Sequence, residues 1–316
     1  MRVLVTGALG KVGAATVSAL HDAGHEVTAC DLLAPVFEAA APGAPAYQQA
    51  DLADAGDAFA VVRGHDAVVH AAALPDPLHN PPHRVFQNNL MSTFNALEAA
   101  VRLGVPRFVN VSSETVPGYF FAERPWTAEY APVDEEHPIR PQDPYATAKH
   151  FGEQLMDAAM RRSDIRCLTI RPSWVQWEGN IEGNLGPHVR DPDLPSPSFW
   201  TYIDAYDLAD ALRLAAESDL AEHEVMYIAS PDNSVGRPLA ELIRRQHGDS
   251  VALRPLARED AAGISCAKAE RLLGYAPTRS WRQYLDEDGR LRPEAAERLE
   301  RGETGVQRGR RARGGA

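Results

Sequence analysis

The chain has 316 residues, 44% hydrophobic and 24% charged, which excludes wholesale disorder and allows a large core. Lysine and arginine total 32 against 44 acidic residues, a formal net charge of -12. That balance argues against nucleic acid as the main partner, because phosphate binding needs a basic face, and against a membrane-surface protein.

No run approaches the roughly 20 apolar residues of a membrane span. The N-terminal MRVLVTG enters a strand pattern at once, so no secretory signal is expected. Cys30, Cys167 and Cys266 are far apart and odd in number, which gives neither a disulfide framework nor a metal site. The expectation is a soluble, cytoplasmic, globular enzyme.

In chain order, residues 2–6 are a short apolar strand, followed by Gly7, Gly10 and Gly13. Residues 12–23 have helical spacing and end at Gly24, and 26–31 are the next strand. The alternation continues with a helix at 58–64, a strand at 66–73, a helix at 84–103, a strand at 107–113, a helix at 145–162 and a strand at 165–172. Such alternation predicts an α/β fold with a doubly wound parallel sheet. Residues 172–201 break the pattern and read as an irregular lobe rich in Pro, Gly and Trp. A helix at 202–217, a strand at 223–230, a helix at 238–246 and a helix–turn–helix stretch at 264–285 follow. From 286 to 316 the chain is charged and is expected to be disordered, its Arg-rich end a solvated tail rather than a nucleic-acid arm.

Thr6-Gly7-Ala8-Leu9-Gly10-Lys11-Val12-Gly13 stands between the first strand and the first helix. Gly7 permits the turn, Gly10 lets backbone approach a pyrophosphate at the helix N-terminus, and Gly13 allows close helix–sheet packing. Leu9, Lys11 and Val12 belong to the same dinucleotide-binding turn. Asp31 ends the second strand, where a carboxylate accepts bonds from the adenosine ribose and repels a 2′-phosphate. No Arg or Lys lies within 32–38, so NAD is preferred over NADP. Tyr145 and Lys149 are one helical turn apart, and the chain has only three lysines. An ammonium about 4 Å from a phenol contributes about 4 kcal/mol to the phenolate at an effective dielectric near 20, or about three pKa units. That would make Tyr145 a general acid–base. Ser113 ends a strand on the side where open α/β sheets bind ligands. By itself each of these is unspecific: a surface ion pair and a turn serine are the bland alternatives.

Together these residues resemble the extended short-chain dehydrogenases/reductases, the NAD-dependent epimerase/dehydratase family, from residue 1 to about 285. The resemblance implies a Rossmann-type NAD-binding domain over 1–171, with 202–230 returning to it, and a small substrate lobe from 172–201 and 231–285. It also implies that Ser113, Tyr145 and Lys149 are catalytic. For the cofactor it adds Asp51 and Leu52 at the adenine, Ala71, Ala72 and Ala73 along a strand end, Asn89, Val111, and Pro172 and Trp174 beside the nicotinamide. Tyr145 would take a proton from a secondary hydroxyl while hydride passes to NAD, or the reverse. A homodimer through the helices 84–103 and 145–162 is implied as well.

Departures from the family pattern narrow the reaction. Dehydratases of the group carry two acids after the catalytic Ser or Thr, whereas here Glu114 is followed by Thr115. The lobe 172–201 is short for a nucleotide-sugar site, which points to a smaller substrate, as in the short-lobed uronate dehydrogenases. Candidate substrate residues are Leu74, Ser113, Glu114, Thr115, Ser173, Trp177, His188 and Trp200. Arg171, His188 and Arg190 are candidates to hold a carboxylate or phosphate. A tryptophan in a small lobe is more often core packing. Phe120, Phe121, Trp126 and Tyr130 form a lid or a quaternary contact. The leading expectation is an NAD-dependent dehydrogenase or reductase acting on a sugar, sugar acid or similar compound. The alternatives are a sugar epimerase with retained NAD and a non-catalytic dinucleotide-binding protein.

Overall fold

The computed structural model describes residues 1–33, 43–304 and 306. Its first half contains β1 (Arg2–Thr6), α1 (Lys11–Asp22), β2 (Glu26–Asp31), β3 (Ala46–Gln49), α2 (Ala55–Val62), β4 (Ala67–His70), α3 (Pro82–Leu103), β5 (Arg107–Val111) and β6 (Tyr130–Ala131). The second half contains α4 (Pro144–Arg162), β7 (Arg166–Pro172), β8 (Val175–Gln176), α5 (Ile181–Asn184), α6 (Gly186–Arg190), β9 (Ile203–Asp204), α7 (Ala205–Glu217), β10 (Glu224–Ile228), α8 (Leu239–His247), β11 (Ala252–Leu253), α9 (Ala267–Leu273) and α10 (Pro293–Arg301).

Seven strands form one sheet in the order β10-β7-β5-β4-β1-β2-β3, parallel throughout. Strand side chains alternate between faces, and both faces are buried. Val3 and Val5 of β1 enter one apolar cluster with α1 and α7 residues such as Leu20, Leu208 and Leu212. Leu4 points the other way, into a cluster with Val61 of α2, Leu97 of α3 and Met156 of α4. The strand order reverses between β1 and β4, and a cleft opens there at the carboxyl ends of the strands.

The doubly wound sheet is the expected one, and several details differ. β3 was not anticipated: it is an edge strand whose residues are mostly exposed, so no buried face marks it. The irregular lobe holds β8, α5 and α6, and β8 pairs with β9. The stretch 264–285 is α9 followed by a 3-10 turn, Trp281–Gln283, instead of two helices.

The disorder expected from 286 is corrected as far as Thr304. α10 buries Ala295, Leu285 and Leu291 join a third apolar cluster, and Arg298 pairs with Glu178 at 2.8 Å. Apolar anchors at spacing i, i+4 under a charged face were enough to order it. The rest of the Arg-rich tail lies outside the described residues, as does the stretch 34–42. Among the described residues, no helix is long and apolar enough to cross a membrane.

Candidate active site

The glycine turn sits at the end of β1. Gly7 has φ +65, and a Cβ there would lie 2.8 Å from the Ala71 backbone. A Cβ at Gly13 would strike the Gly7 carbonyl, so this helix can approach the turn only without a side chain. Gly10 N–H donates to the Gly7 carbonyl at 2.9 Å. α1 begins at Lys11, and no side chain caps its first turn. Its free N–H groups therefore border the cleft, a favourable place for an anion. Asp31 accepts the Leu9 N–H at 2.9 Å, which ties the turn to the end of β2. This cradle, closed to any Cβ and ending in a carboxylate, fits a dinucleotide.

α4 begins at Pro144 and is capped by Asp143, whose Oδ1 accepts the N–H groups of Tyr145 and Ala146, both at 2.9 Å. The cap fixes Tyr145 in the first turn and Lys149 one turn later. Ser112 N–H donates to the Ile170 carbonyl at 2.7 Å and Glu114 N–H to the Pro172 carbonyl at 3.1 Å, so the serine segment runs on beside β7 past the end of β5. The Ser113 hydroxyl accepts from Thr115 N–H at 3.2 Å and Thr115 Oγ1 at 3.0 Å, and its proximity acts to lower the Tyr145 phenol pKa.

Lys149 Nζ donates to the Val111 carbonyl at 2.6 Å and lies 5.9 Å from the centre of the Tyr145 ring. Burial pushes Tyr145 up to about 12, against the Ser113 hydrogen bond. Burial likewise brings Lys149 down to about 8, with Glu153 opposing. The expected lowering of the phenol by Lys149 is therefore corrected. The pair is desolvated, and the ammonium is engaged by a carbonyl beside the ring rather than the phenol oxygen. Behind the pair, Arg171 forks onto Glu153 at 2.8 and 2.7 Å and Ser112 donates to Glu153 at 2.6 Å. Burial alone would raise Glu153, but the Arg171 fork holds it at about 2.

The cleft has a volume of about 740 Å3. Of the residues expected at the cofactor, Gly7, Gly10, Lys11, Val12, Gly13, Asp31, Asp51, Leu52, Ala71, Ala72, Ala73, Val111, Tyr145, Lys149, Pro172 and Trp174 line it. Leu9 and Asn89 do not. Leu9 contributes its N–H to Asp31, and its side chain is buried. Asn89 is buried and clamps both the N–H and the carbonyl of Leu74, at 2.8 and 2.9 Å. It shapes the wall from behind, while Asn88 and Ser92 of the same helix reach the cleft.

Of the residues expected at the substrate, Leu74, Ser113, Glu114, Thr115 and Ser173 line the same cleft, and three are elsewhere. Trp177 and Trp200 are both 3% exposed in the main core, Trp200 donating to the Leu194 carbonyl at 3.2 Å. His188 lies on α6, outside the cleft. Asp76 and Asn180 line the cleft and do not stand out in the sequence as site residues. Of the aromatic loop, Phe120 and Phe121 face the cleft, whereas Trp126 and Tyr130 pack around His137.

A model of the family described as "NAD dependent epimerase/dehydratase family" matches residues 3–187. Among curated relatives, the chain is 26% identical over 311 residues to a UDP-glucose 4-epimerase of Streptomyces lividans, covering 88% of this chain and 92% of that one. It is 33% identical over 232 residues to an L-arabinose 1-dehydrogenase (NAD(P)(+)) of Haloferax volcanii, covering 70% and 84%. A solved short-chain dehydrogenase/reductase superfamily protein from Agrobacterium tumefaciens, with bound NAD, shares the fold with a TM-score of 0.69 and 23% identity, over 95% of this chain and 98% of that one. With its glycine turn and its Ser, Tyr and Lys gathered at one cleft, the chain belongs to the NAD-dependent epimerase/dehydratase family, an enzyme family of the extended short-chain dehydrogenase/reductase type.

Proposed function

We propose that the chain is an NAD-dependent dehydrogenase or reductase acting on a secondary alcohol or carbonyl of a small sugar-like molecule. The observation that carries this reading is the convergence of Ser113, Tyr145 and Lys149 at the mouth of the dinucleotide cleft. Residues 1–171 with 202–230 would hold the dinucleotide, and 172–201 with 231–285 would shape the substrate end. The Asp31 carboxylate favours NAD over NADP, because it meets ribose hydroxyls and repels a 2′-phosphate.

In oxidation, Ser113 hydrogen-bonds the substrate hydroxyl beside Tyr145. The hydroxyl proton goes to the Tyr145 oxygen, and the C–O bond becomes a carbonyl as the carbinol hydrogen leaves as hydride. Bound NAD supplies the hydride acceptor and, while oxidised, a positive charge that favours the phenolate. Lys149 lies beside the ring, held by the Val111 carbonyl. Reduction runs the same steps backwards, with Tyr145 as the acid.

The short lobe supports a small substrate: between β8 and β9 it holds only α5 and α6. The relative named an L-arabinose 1-dehydrogenase agrees with that reading. The relative named a UDP-glucose 4-epimerase supports an alternative, epimerisation with retained NAD. The test is to release and quantify any nicotinamide nucleotide from the purified protein. NAD and a sugar panel are then added and the reduced-nicotinamide band is followed. Stoichiometric NADH from one panel member is expected, with a loss of about 10²- to 10⁴-fold in Tyr145→Phe. Tightly held NAD with no net reduction would move the assignment to the epimerase, and unchanged activity in Tyr145→Phe would remove the assigned acid–base.

The same reading includes a homodimer. Met91 and Phe94 on α3 and Phe151 on α4 are exposed at 37%, 40% and 45%, and Phe86 stacks edge-on against Phe151. These apolar side chains form a face suited to a second copy.

A further inference from the structure

The substrate end of the cleft is short of positive charge. Among the described residues lining the cleft, the basic side chains are Lys11 and Lys149, which donate to the carbonyls of Val175 at 3.0 Å and Val111 at 2.6 Å. The groups that the sequence offered for a carboxylate or phosphate lie elsewhere. The Arg171 fork is bound to Glu153, Arg190 donates to the carbonyls of Asp288 and Gly289, and His188 is outside the cleft. Two carboxyl groups border this end instead. Asp76 is paired with His79 at 2.8 Å. Glu114 is 4% exposed, and its Oε2 is buried without a hydrogen-bond partner.

We propose that this end of the cleft takes an uncharged polyhydroxyl substrate, a free sugar, and that Glu114 hydrogen-bonds one of its hydroxyls and discriminates against sugar acids and sugar nucleotides. The inference rests on the sugar-dehydrogenase reading and narrows its substrate class. A sugar hydroxyl both donates and accepts, so it can pair with the Glu114 carboxyl whether or not that group carries a proton. Burial pushes Glu114 well above the ordinary carboxyl range, which favours its protonated, hydrogen-bond-donating form. Among the described residues lining the cleft, no guanidinium stands ready to meet a carboxylate or diphosphate. A second carboxylate beside Glu114 would also have to share one proton with it. Phe120, Phe121 and Trp174 supply flat apolar faces, and Thr115, Ser173 and Asn180 further polar groups.

The test uses the full chain loaded with NADH and titrated calorimetrically. Its ligands are D-galactose and L-arabinose as neutral ligands, D-galacturonate as the matched acid and UDP-galactose as the sugar nucleotide. NADH formation from NAD is followed separately. The neutral sugars are expected to bind at least tenfold more tightly than the acid and the nucleotide. Glu114→Ala should lose about tenfold in affinity for the neutral sugar, as for one lost hydrogen bond to a buried group. Glu114→Gln, which keeps a donor and an acceptor, should retain most of that affinity and narrow the neutral-to-acid ratio. Galacturonate or UDP-galactose binding as tightly as the neutral sugars would overturn the inference. So would failure of every neutral sugar to bind, or neutral-sugar affinity unchanged in Glu114→Ala. Neutral-sugar binding without NADH formation would support it and overturn the dehydrogenase reading instead.

Discussion

Glu114 shows how a residue proposed to bind substrate can also carry a cost in stability. Its carboxyl is buried with one oxygen unpartnered, and burial raises its folded pKa. An unfolded glutamate titrates near about 4.3. Below that pH both states hold the proton. Above it the unfolded chain loses the proton while the fold keeps it, so stability falls as pH rises toward the raised folded value. The slope reaches at most about 1.4 kcal/mol per pH unit. Glu114→Gln lacks that titration, so its Tm relative to the parent should climb as pH is raised from about 4 in a series of thermal scans. A difference that stays flat over that rise would mean that the Glu114 carboxyl is not desolvated. The position of this acid after Ser113 was legible in the sequence, because local order along the chain places both at one strand end. Its burial was not, since that depends on what β7 and the loop carrying Phe120 and Phe121 bring against it. Trp177 and Trp200 illustrate the same limit: only tertiary packing decides that they fill the core and not the cleft. The Tyr145 phenol is a third case, because a charge argument at about 4 Å omits the burial that here outweighs it.

At the scale of elements, α4 delivers both Tyr145 and Lys149, and Asp143 fixes where it starts. Asp143→Ala removes a side chain that accepts two backbone N–H groups, a loss of about 1 kcal/mol. In a chain of this size that corresponds to a Tm lower by about 2–4 °C. Turnover should fall as well, because Tyr145 lies within the frayed turn, whereas Asp143→Asn should restore both. Normal turnover in a destabilised Asp143→Ala protein would show that the cap holds the helix but does not position the phenol. Elements with a long periodic apolar face, such as α3 and α4, could be read from sequence to within a few residues. The two-residue strands β6, β8, β9 and β11 could not, because each exists only through pairing with a distant partner. α10 was hidden by its charge, although Ala295 and Leu299 mark one face and Gly302 a left-handed stop.

For the whole molecule, the pattern of alternating strands and helices was enough to give the parallel sheet and to place the cleft at its carboxyl edge. It could not say which surfaces remain open, since exposure is a property of the finished packing. α3 and α4 lie side by side on one face of the sheet, and they leave Met91, Phe94 and Phe151 facing outward. A second copy would cover this apolar strip. Light scattering of the purified chain should therefore give twice the monomer mass of 34.5 kDa. Glu substitutions at Phe94 and Phe151 place like charges on an interface that repeats itself across a two-fold axis, so the double variant should run as a monomer while retaining its dinucleotide cleft. A parent protein that is itself monomeric at micromolar concentration would remove the dimer, and a double variant that stays dimeric would move the contact to another face.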